Sequence, residues 1–469
     1  MNTEVKRIIR LLIVLCTMFI SLILYISYFQ IFTADKIVGN SYNKRQWINE
    51  ENILRGNIAD RKGVVLVSSE KRDGTQARAY KYSEIYSHII GYSYKEYGKS
   101  GIESVYNKEL LGLKDMNPIE ELKNILTDGE ALGNNLILTV DHDIQSYAYK
   151  LLNGKKGAIV LMNPKNGEIY AMVSSPSFNP SNLKEKWEDI VSSEDSPLLN
   201  RATMGVYTPG SIFKIIVAAA ALERDKISET YNCEGSINID GYILKDYQGS
   251  AHGEINLGEA LAQSCNVAFS QIGLELGEDK LRKTSEKFML NSNIPFDLRT
   301  AKSIFPEKIS NKPELGASAI GQGKLLVTPL NMVMVASAIA NNGDIVKPIL
   351  VKEIVNNEGK VLKSSKTEIL SKATSVEVSQ GLKEMMIQTV EKGTGKKARI
   401  KNIKVAGKTG TAQNETGKEH AWFVGFAPAD EPLVSVVVII ENSGKTGGTE
   451  AAPIAGDLMK KAIQVLNKK

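Results

Sequence analysis

The first break in the pattern of apolar and polar positions lies at the N-terminus, where residues 11–34 carry no charged side chain. At about 1.5 Å per residue this run makes a helix about 36 Å long, enough to cross a bilayer. Lys6, Arg7 and Arg10 precede it and Asp35 follows it. The positive-inside bias therefore predicts a cytoplasmic stub, residues 1–10, and an extracytoplasmic remainder. A cleaved signal peptide has a shorter apolar region, about 7–15 residues, ending at a small-residue cleavage site. Here the run ends in Tyr25, Tyr28, Phe29 and Phe32 without an Ala-x-Ala, so we read an uncleaved single-pass anchor in the cell membrane.

Residues 36–135 are polar and tyrosine-rich, with short Gly-bounded apolar runs such as 63–67, the pattern of a small strand-and-turn module. The character changes at residue 136. Residues 136–140 predict a strand and 141–152 a helix capped by Asp141. Two apolar runs, 157–162 and 168–173, flank a turn containing Asn166-Gly167 and predict a hairpin. Residues 211–223 are apolar nearly all round, as in a buried helix. Thr328 and Pro329 open another helix as N-cap and first helical residue, and Gly343 closes it. Near the end, 421–426 and 433–440 predict strands, and 452–466 an amphipathic helix. Strands at both ends of a mostly helical middle predict an α+β domain over 136–469, with one antiparallel sheet.

Composition narrows the class. A chain of 469 residues is long enough for two or three folded units. With 58 basic against 53 acidic residues, the net charge of +5 is too small to mark a nucleic-acid binder. A mean hydropathy of −0.16 excludes a polytopic membrane protein. The 3 cysteines form no complete disulfide framework. Cys16 lies in the span; Cys233 and Cys265 read as buried free thiols, with pairing between them left open. His88, His142, His252 and His420 are scattered, so neither a metal site nor a Ser-His triad is expected. No cofactor is expected either.

Three short motifs carry chemistry. In the first, Pro209-Gly210 breaks the chain before Ser211, and Lys214 follows three residues on, hence on the same face. A helix N-terminus favours developing negative charge at Ser211, and the apolar surroundings of Lys214 push its amine toward the neutral, proton-accepting form. Ser41-x-x-Lys44 and Ser181-x-x-Lys184 share the spacing but lie in polar, turn-like stretches. The second motif is Ser264-Cys265-Asn266, a hydroxyl and an amide two positions apart, able to relay a proton and bind a substrate amide; Ser236-Ile237-Asn238 is a decoy of the same form. The third is Lys408-Thr409-Gly410-Thr411, whose glycine lets a substrate backbone lie close while ammonium and hydroxyls hold a carboxylate. Lys445-Thr446-Gly447 repeats its start beside a Gly-rich turn and ranks lower. Neither is a phosphate-binding loop, because Asn402 and Ile439 stand where that pattern needs glycine.

In this order the three motifs are the set shared by penicillin-binding proteins and serine β-lactamases. The chain closely resembles a class B penicillin-binding protein, the membrane-anchored D,D-transpeptidase that crosslinks peptidoglycan. The resemblance runs nearly end to end: 55–63, Gly101-Ile102-Glu103 with Tyr106 and Leu110, Arg201, Gly321-Gln322-Gly323, 328–330 and 422–428 also match. It implies a transpeptidase domain over 136–469 with helices on both sides of its sheet, and a pedestal or dimerisation-like domain over 36–135. It further implies Ser211 as acylated nucleophile, Lys214 as general base, and Ser264 as relay to the leaving D-alanine. Asn266 would hold the peptide, and Lys408, Thr409, Gly410 and Thr411 the terminal carboxylate. The backbone N–H groups of Ser211 and Thr411 would form the oxyanion hole. Implied partners are peptidoglycan stem peptides on lipid-linked glycan strands, β-lactams, and a separate integral-membrane glycan polymerase, since about 100 residues of pedestal are too few for a glycosyltransferase. No PASTA-like extension is expected after Lys469. Two alternatives share the motifs. In a β-lactamase, Glu307 with Asn311 would orient a deacylating water; in an antibiotic sensor or scaffold, the pocket would bind without turnover.

Overall fold

The computed structural model describes residues 3–29, 53–72, 75–113, 131–224 and 227–468. The N-terminal helix spans Thr3–Tyr28 and begins earlier than the apolar run, taking in Lys6, Arg7 and Arg10. It is the one described helix long and apolar enough to cross a membrane, and its side chains are exposed. Residues 30–34 of the expected span, and the motif-like Ser41 and Lys44, lie outside the described residues.

The main sheet has five antiparallel strands in the order Ile169–Ser175, Gly157–Met162, Val434–Ile440, His420–Ala427, Ala406–Ala412. The central strands are almost wholly apolar, Ser435 and the terminal His420 being the exceptions, because both faces are covered. Ala158, Val160 and Met162 join the core shared with the helices Lys214–Leu222 and Pro329–Ala340. Their neighbours Ile159 and Leu161 point the other way, against His142–Leu152 and Gly447–Leu466. That two-residue alternation divides one sequence run between two cores. The hairpin turns at Gly167 (φ 81°), and the helix at 142 is capped by Asp141, which accepts from Asp143 N and Ile144 N. Thr328 caps Pro329–Ala340 as expected. The final helix starts earlier than expected, at Gly447, so the glycines after Lys445 form its first turn.

A second, six-stranded sheet has the order Val361–Ser364, Val351–Val355, Asn135–Leu138, Ile58–Ala59, Val65–Arg72, Thr75–Tyr80. It pairs segments from either side of residue 136, with Ile58 beside Leu136 in a parallel register. Next to it Glu103 is buried between two guanidinium groups, at 2.6 Å from Arg55 Nε and 2.7 Å from Arg78 Nε. Burial opposes the carboxylate charge, but the paired arginines prevail and hold Glu103 below the usual carboxylate range. Asp60 fixes its turn by accepting backbone hydrogen bonds. Its Oδ1 accepts from Lys62 N and Val64 N at 2.8 Å, and its Oδ2 from His142 N at 3.0 Å. The Tyr106 hydroxyl donates to Asp297, which also accepts from Leu350 N at 2.7 Å. The segments before residue 113 are thus tied to the rest of the chain by partly buried polar contacts as well as by the shared sheet.

Candidate active site

The Ser211-x-x-Lys214 motif does not begin on an α-helix. Gly210–Phe213 is a 3-10 turn, and the α-helix starts only at Lys214. Side chains three apart eclipse in a 3-10 turn, so this geometry stacks position 211 over 214 more directly than an α-helix would. Gly210 sits at φ 56° and donates to Gly321 O at 2.9 Å. A Cβ on Gly321 (φ 79°) would lie 2.0 Å from Gly210 O, so only glycine fits there. On the other side a Cβ on Gly410 would come within 3.0 Å of Pro209 O. Trp422 Nε1 donates to Thr208 O at 3.2 Å, while Tyr207 and Arg201 both bond Glu441. The turn is held between a glycine loop and the edge strand, with Ser211 half-buried and Lys214 fully buried.

Ser264-Cys265-Asn266 joins two helices, Leu257–Gln263 and Asn266–Lys287. Ser264 is left-handed (φ 63°), which costs a non-glycine residue about 1 kcal/mol or more. The bonds that compensate are the ones that build the site. Lys214 Nζ donates to Ser264 O at 2.6 Å and Asn266 Oδ1 at 2.8 Å, and lies 3.4 Å from Ser264 Oγ. Lys408 Nζ donates to Ser264 Oγ at 2.8 Å from the edge strand Ala406–Ala412. The Thr409 hydroxyl pairs with that of Thr394 at 2.6 Å, and Thr411 Oγ1 accepts from Gly447 N at 3.3 Å. All three motifs therefore converge, with Ser264 Oγ facing both lysines.

The electrostatics suit proton transfer. Burial lowers the pKa of Lys214 to about 8, against the opposing pull of Asp246 and Cys265. Lys408 is pushed well below the ordinary lysine range, first by burial and then by the charge of Lys214. A buried amine that is neutral part of the time is a base.

The decoys separate cleanly. Lys184 is exposed and pairs with Glu96 at 3.0 Å. Asn238 closes a hairpin turn by accepting from Gly241 N at 2.8 Å. Lys445 pairs with Glu450 at 2.8 Å on the surface. Asn311 caps the helix Lys312–Ala319 by accepting from Glu314 N, and Glu307 is exposed. Sequence reasoning missed Asp246, which accepts from Asn266 N at 3.1 Å, and Thr394 and Glu441; none has a local pattern around it. It also treated His252 as isolated. The fold places His252 beside Cys233, Asp246 and Cys265, next to the second motif.

Comparison with known proteins agrees with this geometry. Residues 157–460 match the family model "Penicillin binding protein transpeptidase domain", and residues 55–136 match "Penicillin binding protein A dimerisation domain". The peptidoglycan D,D-transpeptidase PbpA of Mycolicibacterium smegmatis is 32% identical over 99% of both chains. Stage V sporulation protein D of Bacillus subtilis is 32% identical over 90% of this chain and 68% of its own. The ceftriaxone acyl-enzyme of penicillin-binding protein A from M. tuberculosis superposes with a TM-score of 0.84 at 31% identity, covering 89% of this chain and 100% of that one. With its motifs converging on Ser264 and its match to both domain families, the chain belongs to the class B penicillin-binding proteins.

Proposed function

We propose that Ser211 is the residue acylated by this peptidoglycan D,D-transpeptidase. The observation that carries the reading is the meeting of the three motifs at Ser264 Oγ, reached by Lys214 at 3.4 Å and Lys408 at 2.8 Å. Neutral Lys214 takes the Ser211 proton as Oγ attacks the carbonyl carbon of the penultimate D-alanine. The N–H groups of Ser211 and Thr411 stabilise the oxyanion. The C–N bond then breaks, and the proton passes through the Ser264 hydroxyl to the departing amine of the terminal D-alanine. Asn266 holds the peptide, and Lys408, Thr409, Gly410 and Thr411 bind the terminal carboxylate. An arriving carboxylate favours the ammonium form of Lys408. An amine of a neighbouring stem peptide attacks the ester, forming the crosslink and freeing Ser211. A β-lactam enters the same first step and leaves a stable acyl group.

The N-terminal helix would anchor the catalytic domain on the extracytoplasmic face, where labelling of intact cells by a membrane-impermeant penicillin reads the orientation. Glycan strands would come from an integral-membrane polymerase. Full-length protein given lipid-linked precursor and such a polymerase should release D-alanine and yield crosslinked dimers, and should yield none without the polymerase. Release of D-alanine without crosslinks would instead indicate a carboxypeptidase.

Asn311 is already engaged as a helix cap, which disfavours a hydrolytic role for Glu307. Glu307→Gln is therefore expected to leave the lifetime of a penicilloyl adduct unchanged in a chase assay. A several-fold longer lifetime would favour the β-lactamase reading.

A further inference from the structure

Directly beneath the second motif, side chains from separate segments bring together a donor set that the transpeptidase chemistry does not use. Cys233 ends the strand Thr230–Cys233, Asp246 precedes a 3-10 turn at Tyr247–Gly249, His252 precedes the strand Gly253–Asn256, and Cys265 caps Asn266–Lys287. Their ligand atoms all lie within 4.8 Å of one another. Cys233 Sγ is 3.4 Å from Asp246 Oδ2 and 3.4 Å from His252 Nδ1, and His252 Nδ1 is 3.2 Å from Asp246 Oδ2. A tetrahedron with metal–ligand bonds of about 2.0–2.3 Å has edges of about 3.3–3.8 Å, so the three separations among Cys233, Asp246 and His252 suit one small ion, with Cys265 Sγ within 4.8 Å of each of them.

We propose that Cys233, Asp246, His252 and Cys265 bind a structural Zn2+ that fastens the Ser264-Cys265-Asn266 turn. Two sulfurs, an imidazole and a carboxylate select a borderline-soft, tetrahedral cation over Ca2+ or Mg2+. With all four positions filled by protein, the site is closed and suits a structural rather than a hydrolytic ion. The surrounding bonds support it. Asp246 Oδ1 accepts from Asn266 N at 3.1 Å and Tyr247 N at 2.8 Å, leaving Oδ2 turned to the cluster. Ala268 N donates to Cys265 Sγ at 3.3 Å, a contact that stabilises a thiolate. Cys233, Asp246 and Cys265 are buried. On binding, Cys233 and Cys265 each release a proton, and the two thiolates and the carboxylate leave the occupied site with one net negative charge. The ion would tie a two-stranded sheet and a preceding loop to the helix cap, and Cys265 lies directly between Ser264 and Asn266. Its role is to position those residues, not to touch substrate.

Full-length protein, purified in detergent without a polyhistidine tag, should contain zinc stoichiometric with the chain by mass spectrometry. Stripped protein titrated with Co2+ should develop tetrahedral d–d bands and a thiolate-to-metal charge-transfer band. Cys233→Ser and His252→Ala should each lose bound zinc. Stripping should slow acylation by a fluorescent penicillin about 10–100-fold, and Zn2+ should restore it. The wild-type Co2+ spectrum decides the matter even if a variant fails to fold. Absence of both zinc and the thiolate–cobalt band would overturn the site, whether the denatured thiols then titrate as free or as a Cys233–Cys265 disulfide. The metal readouts are independent of Ser211 labelling, so either reading can fail alone.

Discussion

Ser211→Ala protein is expected to take up no labelled penicillin and to crosslink stem peptides on the order of 10^6-fold more slowly than wild type. The loss is that large because no other group stands in the same position. The 3-10 turn presents Ser211 alone, half-buried at the surface of a site whose two lysines lie deeper. Only one oxygen is removed, from a turn held through Gly210, Gly321 and Trp422, so thermal unfolding should shift little. Gel fluorescence and a melting curve measure the two effects separately. Retained labelling in a folded variant would remove Ser211 from the nucleophile role.

Lys214 is the second position of large effect. Its amine is fully buried and donates to Ser264 O and Asn266 Oδ1, with Asp246, Cys265 and Lys408 as the charged or titratable groups around it. As general base it must be neutral, and its pKa is lowered to about 8. Acylation should therefore rise with pH, increasing about tenfold per unit well below that value and levelling off above it. Stability follows the same sign. The unfolded chain holds this proton more tightly than the folded one, so the cost of burying Lys214 is greatest below the folded value and is relieved as pH rises toward 10.5. Lys214→Ala should lower the acylation rate by about 10^2–10^4-fold. Lys214→Arg should be nearly as slow, because a guanidinium keeps the charge but does not give up its proton. Near-normal acylation by the arginine variant would make Lys214 an electrostatic group and not a base. Stopped-flow acylation measured across pH distinguishes the two.

Much of this site was legible because its chemistry is written in short local spacings. Ser211 and Lys214 lie within one turn, Ser264 and Asn266 flank one residue, and the Lys408 strand is continuous. The inner main-sheet strands were legible for a similar reason, as nearly continuous apolar runs of the length that a doubly covered sheet requires. What the sequence hid depends on distant contacts. Asp246 and Thr394 serve the site only because the chain returns to it, from 20 residues before Asn266 and 15 before Thr409. The mixed sheet joining 58–59 to 351–364 through Asn135–Leu138 leaves no local mark, since its strands are short and their pairing is set by tertiary packing. His252 looked isolated for the same reason. Cysteines 32 residues apart meet it only when the strand Thr230–Cys233 folds against the helix cap at Cys265. The 3-10 turn at Ser211 is a smaller correction, fixed by the left-handed Gly210 ahead of it rather than by helix propensity.

The chemistry proposed for this site requires the acyl group to be carried on Ser211. Full-length protein reacted briefly with penicillin, digested and mapped by tandem mass spectrometry tests it most directly. The penicilloyl mass is expected on the peptide containing Ser211 and on no other, the one with Ser181 included. An adduct on a different serine, or crosslinking that continues with Ser211 unmodified in penicillin-saturated enzyme, would contradict it.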